Sequence, residues 1–230
     1  CAKSFLLLAF LFVKKSEVDL AKSVVTVGLN FESAFAGVRK TVDATEEEFE
    51  QFESGLREMS TQMPVTASEL AAIAEAAGQL SIKNENLLSF TETMAHLGVT
   101  TNLTSQEAAT ALARLANITG MNQENFDRLG SSIVELGNNF ATTESEITEM
   151  ALNISAAGTQ VGMTEADILG VAAALSSLGL ESHAGGTAIS RAIVQMASAC
   201  ETGSAELAYF AKAAGMSTAE FQKYFAEDAT

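Results

Sequence analysis

The sequence contains no tryptophan, one proline, two cysteines and two histidines in 230 residues. Cys1 and Cys200 make neither a disulfide framework nor a thiolate zinc site, and their scarcity points to an intracellular origin. Basic residues are also few: 13 Lys and Arg stand against 29 Asp and Glu, a net charge of -16. The longest basic cluster is the pair Lys14-Lys15. That is too short to neutralise a row of phosphates, so neither electrostatic nor sequence-specific nucleic-acid binding is expected. Long apolar runs are missing as well. The longest, Phe5 to Val13, has nine residues, whereas a bilayer span needs about 20. No small-residue cleavage site follows it, which argues against a signal peptide. The run is expected to be a buried or partner-facing helix; residues 1–20 are otherwise uninterpreted, and membrane contact is left open. A chain beginning at Cys1 rather than Met is expected to be a piece of a longer one.

Alanine is what the chain has in quantity: 39 residues within a hydrophobic content of 47%. Alanine loses no rotamer freedom in a helix, so the expected fold class is all-α, a multi-helix bundle built from helical hairpins and repeat-like. Residues 21–64 form a heptad-patterned helical region. Phe31, Phe35, Val38, Val42, Phe49, Phe52, Leu56 and Met59 fall at alternating steps of four and three, with Thr45 filling the gap between Val42 and Phe49, placing one stripe along a helix. This stripe is a candidate seam for helix association with other copies or with other proteins. Thr45 followed by Glu48 is a capping box, in which the hydroxyl and the carboxylate satisfy free N–H groups of a new helix, so a break is expected near 43–45. The acidic run from Glu46 to Glu53 then lies at the positive end of that helix as a solvated face. Pro64 closes the region.

Residues 65–200 repeat their punctuation. Thr66 with Glu69, Thr104 with Glu107 and Thr143 with Glu146 start helices 38 and 39 residues apart, and Leu97-Gly98, Leu136-Gly137 and Leu178-Gly179 are expected to end partner helices. Each unit holds two helices, with turns expected near Ser81–Asn84, at Gly120–Asn122, and through Gly158 and Gly162 to a cap at Thr164-Asp167. Such periods belong to helical-hairpin stacks, where one hairpin cannot bury its apolar stripe alone. Residues 201–230 form a C-terminal helical segment with a last capping box at Ser217 and Glu220, expected to be truncated.

Reactive groups are scarce. A catalytic triad needs a base near its nucleophile, and only His96 and His183 are available. His96 is read as a cation in the last turn of a helix, His183 as an exposed loop residue. Neither sits in an E-x-x-H or H-E-x-x-H context. Gly185-Gly186-Thr187 lacks the lysine of a phosphate loop and reads as a helix-start loop. The sequons at Asn102, Asn117 and Asn153 are triplets that this composition generates freely, Asn117 and Asn153 adjoin core positions, and all three make poor glycosylation sites. The chain is therefore read as no enzyme, with no catalytic, cofactor-binding or metal-ligating residue and no cofactor.

The order of the segments FESAFAGVRKTVDATEEEFEQFESGLREMS, VTASELAAIAEAAGQL, NLTSQEAATALARLANITG and GVAAALSSLGLESHAGGTAISRAI resembles the core region of phage tail tape measure proteins. The likeness runs from about Asn30 to Met196, and its closing part is a family-like loop with Gly179, Gly185, Gly186 and Thr187. It implies a structural component of a bacteriophage or prophage tail, located in the virion tail and assembled in the host bacterial cytoplasm. Implied partners are other tail proteins, tail assembly chaperones and further copies of itself. Implied roles are tail assembly, tail length determination and genome ejection. At about 1.5 Å per residue only an unbroken helix measures length, and these hairpins fold the chain back, so this piece is expected to be the globular core rather than the ruler. The alternative is a stand-alone helical-repeat protein-binding module without enzymatic activity.

Overall fold

The computed structural model describes residues 28–227, which contain eleven α-helices, two single-turn 3-10 helices and no strand. The Phe5–Val13 run and the Lys14-Lys15 pair lie outside the described residues. Helix α1 covers 28–41 and stops where extended backbone carries the chain through Val42 to Thr45. Helix α2, Glu46–Gln62, starts at the expected capping box: the Glu48 N–H donates to Thr45 Oγ1 at 3.3 Å and the Thr45 N–H to Glu48 Oε2 at 2.8 Å. The break lets the heptad stripe fold on itself. Phe35 meets Phe49 edge to face at 6.3 Å, and the Arg39 guanidinium lies 4.6 Å from the Phe49 ring while pairing with Glu46 at 2.9 Å. Arg57 does the same for Phe31, 3.9 Å from its ring, and reaches back to Glu32 at 3.0 Å.

Three hairpins follow: α3 (Ala67–Gln79) with α4 (Leu87–Thr100), α5 (Ser105–Thr119) with α6 (Phe126–Asn139), and α7 (Glu144–Gln160) with α8 (Glu165–Ser177). The capping boxes at Thr66, Thr104, Thr143 and Thr164 all form. In the first two hairpins a 3-10 turn, Asn84–Asn86 or Gln123–Asn125, leads into the second helix. The third replaces it with the Thr164 cap, so the repeat is equivalent in helices and variable in its turns. Helices α3, α5 and α7 stack as one layer, continued by α9 (Ser182–Thr202), and α4, α6 and α8 stack as the other. Fully buried alanines, among them Ala71, Ala74, Ala77, Ala109, Ala113 and Ala173, let these helices approach closely, while Phe90, Leu112, Ile133 and Ile154 fill the space between layers. Each large apolar side chain so buried contributes about 1.5–3 kcal/mol against the entropy of ordering the chain.

One apolar core runs from Phe31 to Ile193, so α1 and α2 share it with the hairpins. Helices α10 (Ala205–Ala213) and α11 (Thr218–Glu227) gather a smaller cluster around Ala199, Leu207, Ala211 and Phe221.

Several expectations about helix ends are corrected. Gly98 and Gly137 do not end α4 and α6, which run on to Thr100 and Asn139. Both glycines are helical and serve close approach instead. A Cβ on Gly98 would come within 2.8 Å of the Ser105 backbone nitrogen, and one on Gly137 within 2.6 Å of the Glu144 carboxyl carbon. The left-handed closures fall at Gly120, Gly162, Gly179 and Gly203, with φ of 72°, 89°, 80° and 65°, where lack of a Cβ removes the steric cost. Gly158 lies buried inside α7 and joins the turn only through its carbonyl, which accepts the Val161 and Met163 N–H groups at 3.0 Å. Ile118 and Leu178 continue the apolar spacing of α5 and α8 but are exposed, Ile118 in the last turn of its helix and Leu178 as the C-cap.

Candidate interaction surface

The seam residues Phe31, Phe35, Val38, Val42, Phe49, Phe52 and Leu56 are buried in the core of this chain, and Met59 packs half-buried against it. The stripe therefore closes on α1, α2 and the hairpins, and in this fold it is not a surface offered to another molecule. Burial of four phenylalanines within the chain leaves no such surface to cover.

The loop expected at Gly185-Gly186-Thr187 is the first part of α9. Only Gly179 is in a turn. A Cβ on Gly186 would stand 2.6 Å from Asn153 Cβ and 3.2 Å from Met150 Sδ, so this glycine sets how closely α9 lies on α7. The same contact is tied by hydrogen bonds: Asn153 Nδ2 donates to the Ser182 carbonyl at 3.2 Å, and Ser182 Oγ to the Glu146 carbonyl at 3.3 Å. Thr187 borders a surface groove with Ser190, Arg191 and Val194. The start of α9 was missed because its cap is an acid rather than Ser or Thr. Glu181 accepts from the His183 and Ala184 N–H groups at 3.0 and 2.6 Å. An acid two residues ahead of a run without proline was the available signal.

Both histidines are exposed. His183 is in the first turn of α9, not in a loop, and is exposed. His96 lies short of the last turn of α4, which runs on to Thr100, and its nearest charge is Glu92 at 3.9 Å. Its expected position in that last turn is therefore corrected. Among the described residues no group of three or more His, Cys, Asp or Glu side chains is placed to hold a metal ion. Burial pushes the Cys200 thiol up from its ordinary value.

Electrostatic tuning is concentrated in the caps. The backbone N–H of Thr104, then its hydroxyl, holds Glu107 below the ordinary carboxylate value; the Thr66 hydroxyl and N–H do so for Glu69, and the Thr143 N–H and hydroxyl for Glu146. A carboxylate whose folded pKa is depressed adds stability above its unfolded value of 4.5, and that stability is lost as pH falls through the lower folded value. The melting temperature is expected to fall on acidification below pH 4.5. A Thr66→Ala/Thr143→Ala variant, whose carboxylates lose these bonds, should show a shallower fall by circular dichroism between pH 7 and pH 3.

The two ends of the stack differ. At one end, Asn84 Nδ2 donates to the Asp43 carbonyl at 2.8 Å and the Lys83 N–H to Gln123 Oε1 at 2.8 Å, linking the turns of neighbouring hairpins. At the other lie the loops 63–66, 101–104, 140–143 and 178–181, tied by Asn102 Nδ2 donating to Ser145 Oγ at 2.8 Å and Thr142 Oγ1 to Ser176 Oγ at 2.8 Å. A shallow groove of about 440 Å³ opens at this second end between Pro64, Val65, Ile73 and Val99. No helix among the described residues is long and apolar enough to cross a membrane.

The fold defines the class: an all-α protein built as a two-layer stack of helical hairpins with capping boxes at its helix starts. Residues 53–224 match the phage-related minor tail protein family, and the chain belongs to that family. It is similar to a probable tape measure protein of Halomonas phage phiHAP-1, with 22% identity over 190 residues, covering 77% of this chain and 22% of that protein. The chain thus spans about a fifth of the length of the relative it matches. No solved structure matches. The tape measure family assignment read from the sequence stands, and membership supports a structural role in a phage tail.

Proposed function

We propose that this chain is the globular helical core of a tape measure protein, contributing to tail assembly, tail length determination and genome ejection without enzymatic activity. The observation that carries the reading is the family match over residues 53–224, which coincides with the hairpin stack and its continuation rather than with a single long helix. Its place is the virion tail, reached from the host bacterial cytoplasm, and its partners are other tail proteins, tail assembly chaperones and further copies of itself. Within that role the hairpins act as a folded body. Their caps and left-handed turns reverse the chain after helices of 13–17 residues, so residue count does not translate into span.

The test is an in-frame deletion of residues 67–177 in a phage or prophage carrying the gene, with purified particles examined by electron microscopy and mass spectrometry. A core role predicts loss of tails, or full-length tails that fail to deliver DNA. Tails shortened by roughly 170 Å, about 1.5 Å for each deleted residue, would identify the segment as ruler and overturn the reading. Particles that never contain the chain would favour a stand-alone protein-binding module.

A further inference from the structure

Helices α4, α6 and α8 lie side by side, and each carries a large apolar side chain to the same end of the stack: Val99, Phe140 and Leu178 are 50%, 45% and 79% exposed. Phe140 and Leu178 are the C-cap residues of α6 and α8, and Val99 is the residue before the last of α4. Phe140 and Leu178 are caps, where a polar residue such as Thr101 of α4 serves as well, so large apolar side chains exposed at this end of three successive hairpins mark a face that is covered in use. The groove floored by Val65 and Ile73 shares Val99 with the row.

The hairpins that carry this face are poor in bases. The sequence has no Lys or Arg at 58–82, 84–113 or 129–190. The three bases between these spans lie away from this end: Lys83 next to one 3-10 turn, Arg128 just after the other, and Arg114 in the second half of α5. Glu69, Glu107, Glu135, Glu146, Glu149 and Glu181 are exposed around the row. A second copy of the chain would set this acidic rim against itself, and an anionic lipid surface or nucleic acid would be repelled. Packed helices lie about 8–10 Å apart. A docked helix repeats its apolar positions every seventh residue, about 10.5 Å, and so can place one apolar residue on each of Val99, Phe140 and Leu178.

We propose that this edge of the stack docks a cationic amphipathic helix of another protein, its apolar stripe on Val99, Phe140 and Leu178 and its Lys or Arg residues facing the glutamate rim. The inference rests on the surface and stands apart from the tail reading. The test uses the 230-residue chain and a fluorescein-labelled three-heptad peptide of Leu and Lys with leucine at the a and d positions, followed by fluorescence anisotropy. The expected result is binding at least roughly ten-fold tighter than that of a scrambled peptide of the same composition. Phe140→Ser/Leu178→Ser should weaken it by roughly ten-fold, and Glu135→Gln/Glu149→Gln should weaken it and flatten its salt dependence. Glu85→Gln/Glu124→Gln at the opposite end should leave it unchanged. Circular dichroism establishes that each variant is folded; if the serine pair is not, the two glutamine pairs carry the test. Equal binding of the scrambled peptide, or glutamine pairs that act alike at both ends, would overturn the proposal. So would self-association in sedimentation velocity that the serine pair abolishes, which would make a second copy the occupant.

Discussion

Phe90→Ala is expected to destabilise the protein by about 3–5 kcal/mol, the range for truncating a fully buried aromatic side chain. Phe90 is 0% exposed in α4, and its ring meets Phe126 of α6 edge to face with centroids 4.7 Å apart. The contact joins the first hairpin to the second. Alanine there removes the transfer free energy of the ring and leaves a cavity between helices whose caps hold them in place, so the site collapses little. In a chain of this size the loss corresponds to a fall in melting temperature of roughly 6–20 °C. Tyr209→Ala is the control, since Tyr209 is 71% exposed, and its change should stay within about 0.5 kcal/mol. Thermal or urea unfolding followed by circular dichroism measures both. Equal effects would mean that the hairpins do not share a core at Phe90.

Gly186→Ala and Gly170→Ala are expected to act in opposite directions. Both glycines are helical, and in an open helix the exchange to alanine gains about 0.5–1 kcal/mol by reducing backbone freedom in the unfolded chain. Gly170 is exposed on α8 with no atom within 4 Å of its added Cβ, so it should realise that gain. At Gly186 the new Cβ would stand 2.6 Å from Asn153 Cβ, and α7 and α9 must separate. Overpacking of this kind costs about 1–3 kcal/mol, which exceeds the helix gain. Urea midpoints at constant m-value report the difference; a stabilised Gly186→Ala would show that α9 sits further from α7 than described here.

What was legible in the sequence was local. Thr45, Thr66, Thr104, Thr143 and Thr164 each stand three residues ahead of a Glu or Asp, and each starts a helix as that spacing predicts. The helix ends were less legible, because glycine serves two purposes. Gly120 and Gly179 close helices through a left-handed backbone, whereas Gly98, Gly137 and Gly186 stay helical to admit a neighbour. Only the partner's position, which a single sequence does not carry, separates the two uses. The heptad stripe posed the same difficulty. Phe31 through Leu56 must be covered, but whether by another chain or by this one depends on the reversal at Val42–Thr45, and the structure covers them from within. The apolar row at Val99, Phe140 and Leu178 was hidden because Leu178 fits the core periodicity of α8 and its exposure follows only from where the facing layer ends.

Each hairpin touches mainly those beside it, and this gives the molecule a mechanical grain. In a nearest-neighbour stack stability is approximately a sum of unit and interface terms, so an end can loosen while the rest stays folded. The small apolar cluster around Phe221, set apart from the long core, is the shallowest anchorage in the described chain. Tension applied from the carboxyl side would therefore peel α11 and α10 before it reached the long core behind them.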